Sequence, residues 1–231
     1  MRNSFRIVCD SEFTQQYLSN LYPSFRKKLC VVHLGDRPRA PLSRPHYAEN
    51  VPSQHLVMIG RMAADERYKG HDQVIEALPG IVERFPKCSV SMIGGGADLV
   101  RLKEKVERLG LSAHVRFLQG LNDEELIESV KNSCGLLLPS LKEAFGLVYL
   151  YAMWAGVPAI ALRGTAGEEV LGECGIYAEV QTPAAIESAI VNALSGEWRF
   201  SRESQQRYEN HFSYEAFKRR LSEFLERECS S

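Results

Sequence analysis

The feature that most constrains this chain is a strict alternation that begins near residue 55. Short apolar runs at 55–59, 89–93, 114–118, 135–138, 158–161 and 175–178 read as strands. Between and after them, stretches at 71–84, 98–109, 123–131, 146–155 and 183–194 carry apolar residues three and four apart and read as helices. Strand alternating with helix implies right-handed crossovers, hence a parallel sheet with helices on both faces. The expected fold class is α/β, a Rossmann-like doubly wound parallel sheet with C-terminal helices.

The flanks read differently. Residues 5–9, 11–21 and 29–34 spell strand, helix, strand, with Ser11 placed to cap the helix. Three elements cannot bury a core by themselves. From Gly35 the chain carries Pro38, Pro41, Pro45 and Pro52 among basic and polar residues, the composition of a linker. The expected division is therefore residues 1–35, a linker at 36–52, and a domain at 53–231. Beyond the sheet, helices are expected at 202–210 and 214–227. In the second, Phe217, Leu221, Phe224 and Leu225 share one face and require a packing partner.

Composition excludes some functions. With 45% hydrophobic and 25% charged residues, 231 residues suffice for one complete core plus a fragment. Twenty-eight basic residues against 29 acidic ones provide no field for a nucleic acid, and none is expected as a partner. No run of eighteen apolar residues occurs, and the opening Met1-Arg2-Asn3-Ser4-Phe5 lacks a secretory pattern, so a cytoplasmic chain is expected. Six widely spaced cysteines, Cys9, Cys30, Cys88, Cys134, Cys174 and Cys229, contain no C-x-x-C pair and read as reduced structural thiols.

In an open α/β sheet, ligands sit beyond the carboxyl ends of the strands, so the loops there carry the chemistry. Gly60-Arg61 ends the first strand, and Lys69-Gly70 leads into the next helix. Either the two cations converge on an anion such as a pyrophosphate, or Asp65, Glu66 and Arg67 make this a solvated loop. After the fourth strand, Glu143-Ala144-Phe145-Gly146-Leu147 opens a helix whose first amides can cradle phosphate oxygens. Glu143 there suits paired sugar hydroxyls, or else compensates the helix dipole. Gly94-Gly95-Gly96 fails as a dinucleotide fingerprint because Leu99 stands at its third glycine, and reads as a tight turn. The loop 164–169 is equally a ligand loop or a lead into a short helix. His71, at a helix start, reads as a capping or surface residue. The histidines show no metal-ligand spacing, and no metal is assigned.

In register, these pieces resemble the retaining glycosyltransferases of the family-4 type, which have the two-Rossmann-domain GT-B architecture. The match runs through Gly60-Arg61, Lys69-Gly70, Ile93-Gly94-Gly95-Gly96, Val115-Arg116-Phe117-Leu118-Gln119-Gly120 and Glu143-Ala144-Phe145-Gly146-Leu147. It continues through Ala152-Met153, Gly156-Val157-Pro158 and the loop 164–170. Residues 8–35 are similar to the last strand-helix-strand of that family's N-terminal, acceptor-binding domain.

The resemblance implies transfer of a sugar from a nucleotide diphosphate sugar, as donor substrate, to a glycan or glycolipid acceptor with retention. A cofactor is not implied, nor usually a metal. Arg61 and Lys69 would hold the pyrophosphate with the amides of Phe145, Gly146 and Leu147, Glu143 would bind the sugar, and the base would lie near Leu118, Gln119 and Gly120. A glycolipid acceptor would place the chain at the inner membrane face. Where the family has a second glutamate for the ribose hydroxyls, this chain has Tyr151. Tyr151 could face the nucleoside or fill apolar space beside Leu147 and Trp154. With most of an acceptor domain absent, the chain alone is expected to be an incomplete catalyst, completed by that domain or covered by self-association. The alternative is a nucleotide- or sugar-phosphate-binding module that transfers nothing; a nicotinamide-dependent oxidoreductase ranks third.

Overall fold

A computed structural model of the chain describes residues 5–36, 54–195 and 202–229. Its elements are β1 (Ile7–Cys9), α1 (Glu12–Leu21), β2 (Leu29–Val31), β3 (His55–Ile59), α2 (His71–Arg84), β4 (Ser89–Ile93), α3 (Leu99–Arg108) and β5 (Val115–Leu118). They continue with α4 (Asp123–Lys131), β6 (Gly135–Leu137), α5 (Val148–Ala155), β7 (Ala159–Leu162), α6 (Ala166–Leu171), β8 (Gly175–Ala178), α7 (Pro183–Ser195), α8 (Arg202–Arg207) and α9 (Tyr214–Cys229). Local chemistry sets several boundaries. The Thr14 amide donates to the Ser11 side chain at the head of α1, and Asn122 and Glu125 cap each other's backbone at the head of α4.

Strands β3 to β8 form one parallel sheet in the order β5-β4-β3-β6-β7-β8. The chain winds outward from β3 through β4 to β5, returns to lay β6 against the other side of β3, and winds outward again. The order reverses between β3 and β6, which are paired Leu56↔Gly135, Val57↔Leu136 and Met58↔Leu137. Successive residues of β3 face opposite layers: Leu56 and Met58 pack with residues of α2, α3 and α7, whereas Val57 and Ile59 pack with residues of α4, α5 and α6. Both faces are buried, so the strands read as continuous apolar runs, and the doubly wound α/β class is the observed one.

The N-terminal segment keeps its strand-helix-strand order, with β1 and β2 parallel and Val8 opposite Cys30. Of the expected linker at 36–52, all but Asp36 lies outside the described residues; Asp36 is anchored on the tail, donating its amide to the Phe212 carbonyl at 2.9 Å. The tail departs from expectation in one place. Instead of one helix through residue 210, α8 passes into a wide π-helical turn at Tyr208–Phe212, which lets Tyr208 and Phe212 both enter the core. Helix α9 packs on the turn at Tyr208–Phe212 and is tied to the N-terminal segment by polar contacts: Arg6 pairs with Glu228 at 2.7 Å, and Arg220 donates to the His33 carbonyl at 2.9 Å. Leu225 still faces solvent, as do Phe5, Val8, Tyr17 and Leu21 on the N-terminal segment. Cys9, Cys30, Cys88, Cys134 and Cys174 are free thiols, the first, third and fourth buried. No helix among the described residues is long and apolar enough to cross a membrane.

A charged network ties the heads of α2 and α3 together. Arg67 donates twice to the buried Asp98, at 3.1 and 3.0 Å, and Arg101 bridges Asp98 to Asp72 with bonds of 2.8 and 2.6 Å to the latter. Bonds from Arg101 hold both carboxyls at about 2, below the ordinary 3.8, although burial opposes the shift. Depressed folded-state values mean that this stability is present above about pH 4 and is lost as pH falls through about 2. Urea titrations from pH 5 to pH 2 should show the loss. Asp98→Asn should cost about 2–3 kcal/mol at pH 7 and flatten that acid dependence; an unchanged acid slope would remove Asp98 from the network.

Candidate active site

The loops after β3 and β6 emerge side by side at the reversal of strand order and are stitched together. The Leu141 amide donates to the Tyr68 carbonyl at 3.0 Å, and the Gln181 side chain donates to the carbonyls of Tyr68 and Pro139 at 2.6 and 2.7 Å. Across this seam Lys69 Nζ meets Glu143 Oε1 at 2.7 Å, with side chains 13% and 15% exposed. Two residues that the sequence separates widely thus form a half-dry ion pair at the crevice where such sheets take ligands.

The glycines of the second turn explain how the first loop is held. The Met62 amide donates to the Gly95 carbonyl at 2.8 Å, and the Gly60 amide to the Ile93 carbonyl at 3.0 Å. A Cβ on Gly94 or Gly96 would lie 2.1 Å from the Gly60 oxygen or 2.2 Å from the Met62 oxygen, and φ is +143° and +152° at the two positions. The run is a backbone-on-backbone brace for the Gly60–Met62 segment, in accord with the tight-turn reading.

Tyr149 sets the second loop. It is fully buried, and its hydroxyl donates to the Leu138 carbonyl at 2.7 Å, while burial keeps its phenol protonated far above the usual range. Its ring fills the space that side chains on Gly146 and Gly167 would need, since a Cβ at either position would come within 3 Å of it. Gly146, at φ +84°, therefore leads the chain into α5 past this ring, and no side chain caps that helix. Phe145 contributes its side chain to the core, against Phe212 at 5.7 Å between ring centres, leaving its backbone as the group available to the site.

Other sequence-derived residues are placed less centrally. Arg61 pairs with Glu66, and its side chain is 76% exposed, so the two cations do not converge in this conformation. Leu118 is half-buried, and Gln119 and Gly120 are exposed at the end of β5. Leu147 is exposed, whereas Tyr151 packs half-buried beside the apolar layer that includes Tyr149 and Met153. His71 corrects its reading: it neither caps α2 nor lies on the surface, being 3% exposed. Burial, then Lys69, depresses it to about 4, and its imidazole edge lies against Gly60. Loop 164–169 does close onto a helix, α6, with Glu168 accepting from the Gly164 amide at 2.7 Å. Tyr149, Gln181 and Glu169 escaped the sequence reading, because an aromatic in an apolar helix, a lone glutamine and one of two adjacent glutamates carry no spacing signal. A shallow, open depression of about 640 Å³, lined by His55, Glu124, Glu125 and Glu128 among others, lies at the opposite end of β3.

Open doubly wound α/β sheets take their ligands where the strand order reverses, which is where the Lys69–Glu143 pair lies. The chain belongs to the family of glycosyl transferases group 1, whose model matches residues 42–225. It is 33% identical over 147 residues to D-inositol 3-phosphate glycosyltransferase of Corynebacterium urealyticum, a match covering 60% of this chain and 35% of that protein. It is 34% identical over 136 residues to GDP-mannose-dependent alpha-(1-6)-phosphatidylinositol monomannoside mannosyltransferase of Mycolicibacterium smegmatis, covering 55% and 36%. The matched segment thus spans about a third of these relatives.

Among solved structures, Anabaena Alr3699/HepE in complex with UDP and glucose superposes with a TM-score of 0.79 at 16% identity, covering 97% of this chain and 64% of that one. Sucrose-phosphate synthase of Thermosynechococcus elongatus gives 0.80 at 22% identity, covering 99% and 59%. Both share the fold.

The packing of Tyr151 generates a test. Tyr151→Glu should lower stability by about 1–3 kcal/mol, because a carboxylate would replace a half-buried ring. It should not tighten binding of ribonucleotides relative to their 2′-deoxy analogues. Selective tightening in calorimetry would instead turn this side chain toward a ribose.

Proposed function

We propose that this chain carries the donor site of a retaining, family-4 type glycosyltransferase that uses a nucleotide diphosphate sugar. The observation that supports it best is the Lys69–Glu143 pair at the reversal point, beside the uncapped head of α5. Lys69, with Arg61 swung in from solvent, would hold the diphosphate together with the amides of Phe145, Gly146 and Leu147. Glu143, released from Lys69, would accept hydrogen bonds from hydroxyls of the transferred sugar, and the base would rest against Leu118, Gln119 and Gly120.

In the reaction, the bond from the anomeric carbon to the diphosphate oxygen breaks, an acceptor hydroxyl oxygen bonds to that carbon on the same face, and the hydroxyl proton passes to the departing diphosphate. Charge grows on the departing diphosphate, where Lys69 and the fixed amides stabilise it without reorganising. Neither a metal nor a cofactor enters this proposal.

The acceptor in this reading is a glycan or glycolipid, bound by an N-terminal domain of which residues 1–35 are the end and 36–52 the linker. The exposed Phe5, Val8, Tyr17 and Leu21 then mark where the rest of that domain, or a second copy, would pack. A cytoplasmic chain, peripheral at the inner membrane face, fits such an acceptor. On this reading, and with a match spanning about a third of its relatives, the chain by itself binds donor but transfers little, because transfer needs donor and acceptor oriented together. A binding module that transfers nothing is the second reading, favoured by the half-buried Tyr151 at the position of the family's second glutamate.

Calorimetry with UDP, GDP and ADP tests the proposal. At least one should bind, and Lys69→Ala should weaken it by about 1.5–3 kcal/mol, roughly ten- to a hundredfold. Unchanged affinity in that variant would remove Lys69 from the site.

A further inference from the structure

Glu169 sits on α6 with a largely buried carboxylate that reaches across to the N-terminal segment. Its Oε1 accepts from the Glu12 amide at 2.7 Å and lies 2.6 Å from His33 Nε2, while its Oε2 accepts from the Phe13 amide at 3.0 Å. Those amides open α1 and have no partner within the helix, and the helix dipole favours a negative charge there. Burial alone would raise the Glu169 pKa; the bonds from His33 and the two amides outweigh it and keep the carboxyl below its ordinary value. The neighbouring Glu168 turns away, to Gly164 and Arg163.

The same first turn of α1 grips the donor loop. Ser11 Oγ, which is fully buried, and Thr14 Oγ1 both donate to the Ala144 carbonyl, the latter at 3.0 Å. A peptide unit is planar and trans, so fixing the Ala144 carbonyl toward α1 aims the Phe145 N–H the opposite way. Phe145 is one of the amides offered to the diphosphate.

We propose that Glu169 is a positioning residue of the donor site, acting through α1: its carboxylate pins the first turn of α1, and that turn sets the orientation of the 144–145 peptide beside Glu143. The role in binding rests on the proposed function; the mechanical coupling does not. It makes the N-terminal segment part of the donor site's support, with α6 itself held from behind by Arg207, which donates to the Val170 and Glu169 carbonyls at 2.8 Å each.

The test uses the full chain with Glu169→Ala, Glu169→Gln, the pair Ser11→Ala and Thr14→Val, and the combination of that pair with Glu169→Ala. Hydrogen exchange should quicken about tenfold at the amides of Tyr149 and Leu150, which close the first turn of α5, in each altered chain, with Glu169→Gln intermediate and the sheet strands unchanged. Affinity for the nucleoside diphosphate that the parent binds should fall about tenfold in Glu169→Ala and fall no further when the Ser11 and Thr14 changes are added. Additive losses, unchanged exchange at α5, or equal acceleration throughout the sheet would overturn the proposal. If UDP, GDP and ADP all fail to bind the parent, the functional reading fails, and exchange at Tyr149 and Leu150 still decides the coupling.

Discussion

The placement of β6 against β3 is the constraint from which the candidate site follows. Those two strands pair through only short stretches, yet their pairing brings together loops that begin far apart in the chain and sets Lys69 against Glu143. An ion pair so little exposed gives up much of its hydration, and the attraction between the partners roughly offsets that loss. Its value is better sought in function than in stability. Under the proposed function each partner has a use of its own, Lys69 as a cation for phosphate and Glu143 as an acceptor for hydroxyls. While no ligand is bound, each also satisfies the other, which avoids leaving a half-buried charge alone.

Rigidity around that pair comes from uncharged parts. The glycine run at residues 94–96 lets one backbone lie on another and fixes the exit of β3, while Tyr149 does the corresponding work for the exit of β6. One ring packs against Gly146 and Gly167 at once, so the loop before α5 and the start of α6 share a single support. The amides at the head of α5 therefore sit on a frame whose adjustment would require backbone movement, the preorganisation that the proposed stabilisation of a departing diphosphate calls for. The charged network of Asp98, Arg101 and Asp72 anchors the neighbouring heads of α2 and α3.

The architecture was legible in the sequence because a buried parallel strand has to be apolar on both faces and its covering helix on one. Those demands placed β3, β4, β8, α2 and α4 at their observed limits. Motif spacing also marked Lys69 and Glu143, although the ion pair between them depends on strand order, which spacing does not encode. Where side-chain packing decided the outcome, the sequence was silent or misleading. His71 looked like a polar helix start and is buried because α2 runs in beneath Gly60. The helix expected through residue 210 widens because Tyr208 and Phe212 must both reach the core. Glu169 acts on a helix more than a hundred residues upstream, and no local pattern could distinguish it from Glu168.

The central claim is that a nucleoside diphosphate occupies the crevice between the exits of β3 and β6. Titrating the isotopically labelled chain with UDP, GDP and ADP while following its amide resonances tests that location directly. The expected result is saturable shifts concentrated at Gly60, Lys69, Gly146 and Leu147, with those at the amino ends of the strands, around His55 and Glu128, unmoved. Saturable shifts confined to that opposite end, or no shifts with any of the three nucleotides, would contradict it.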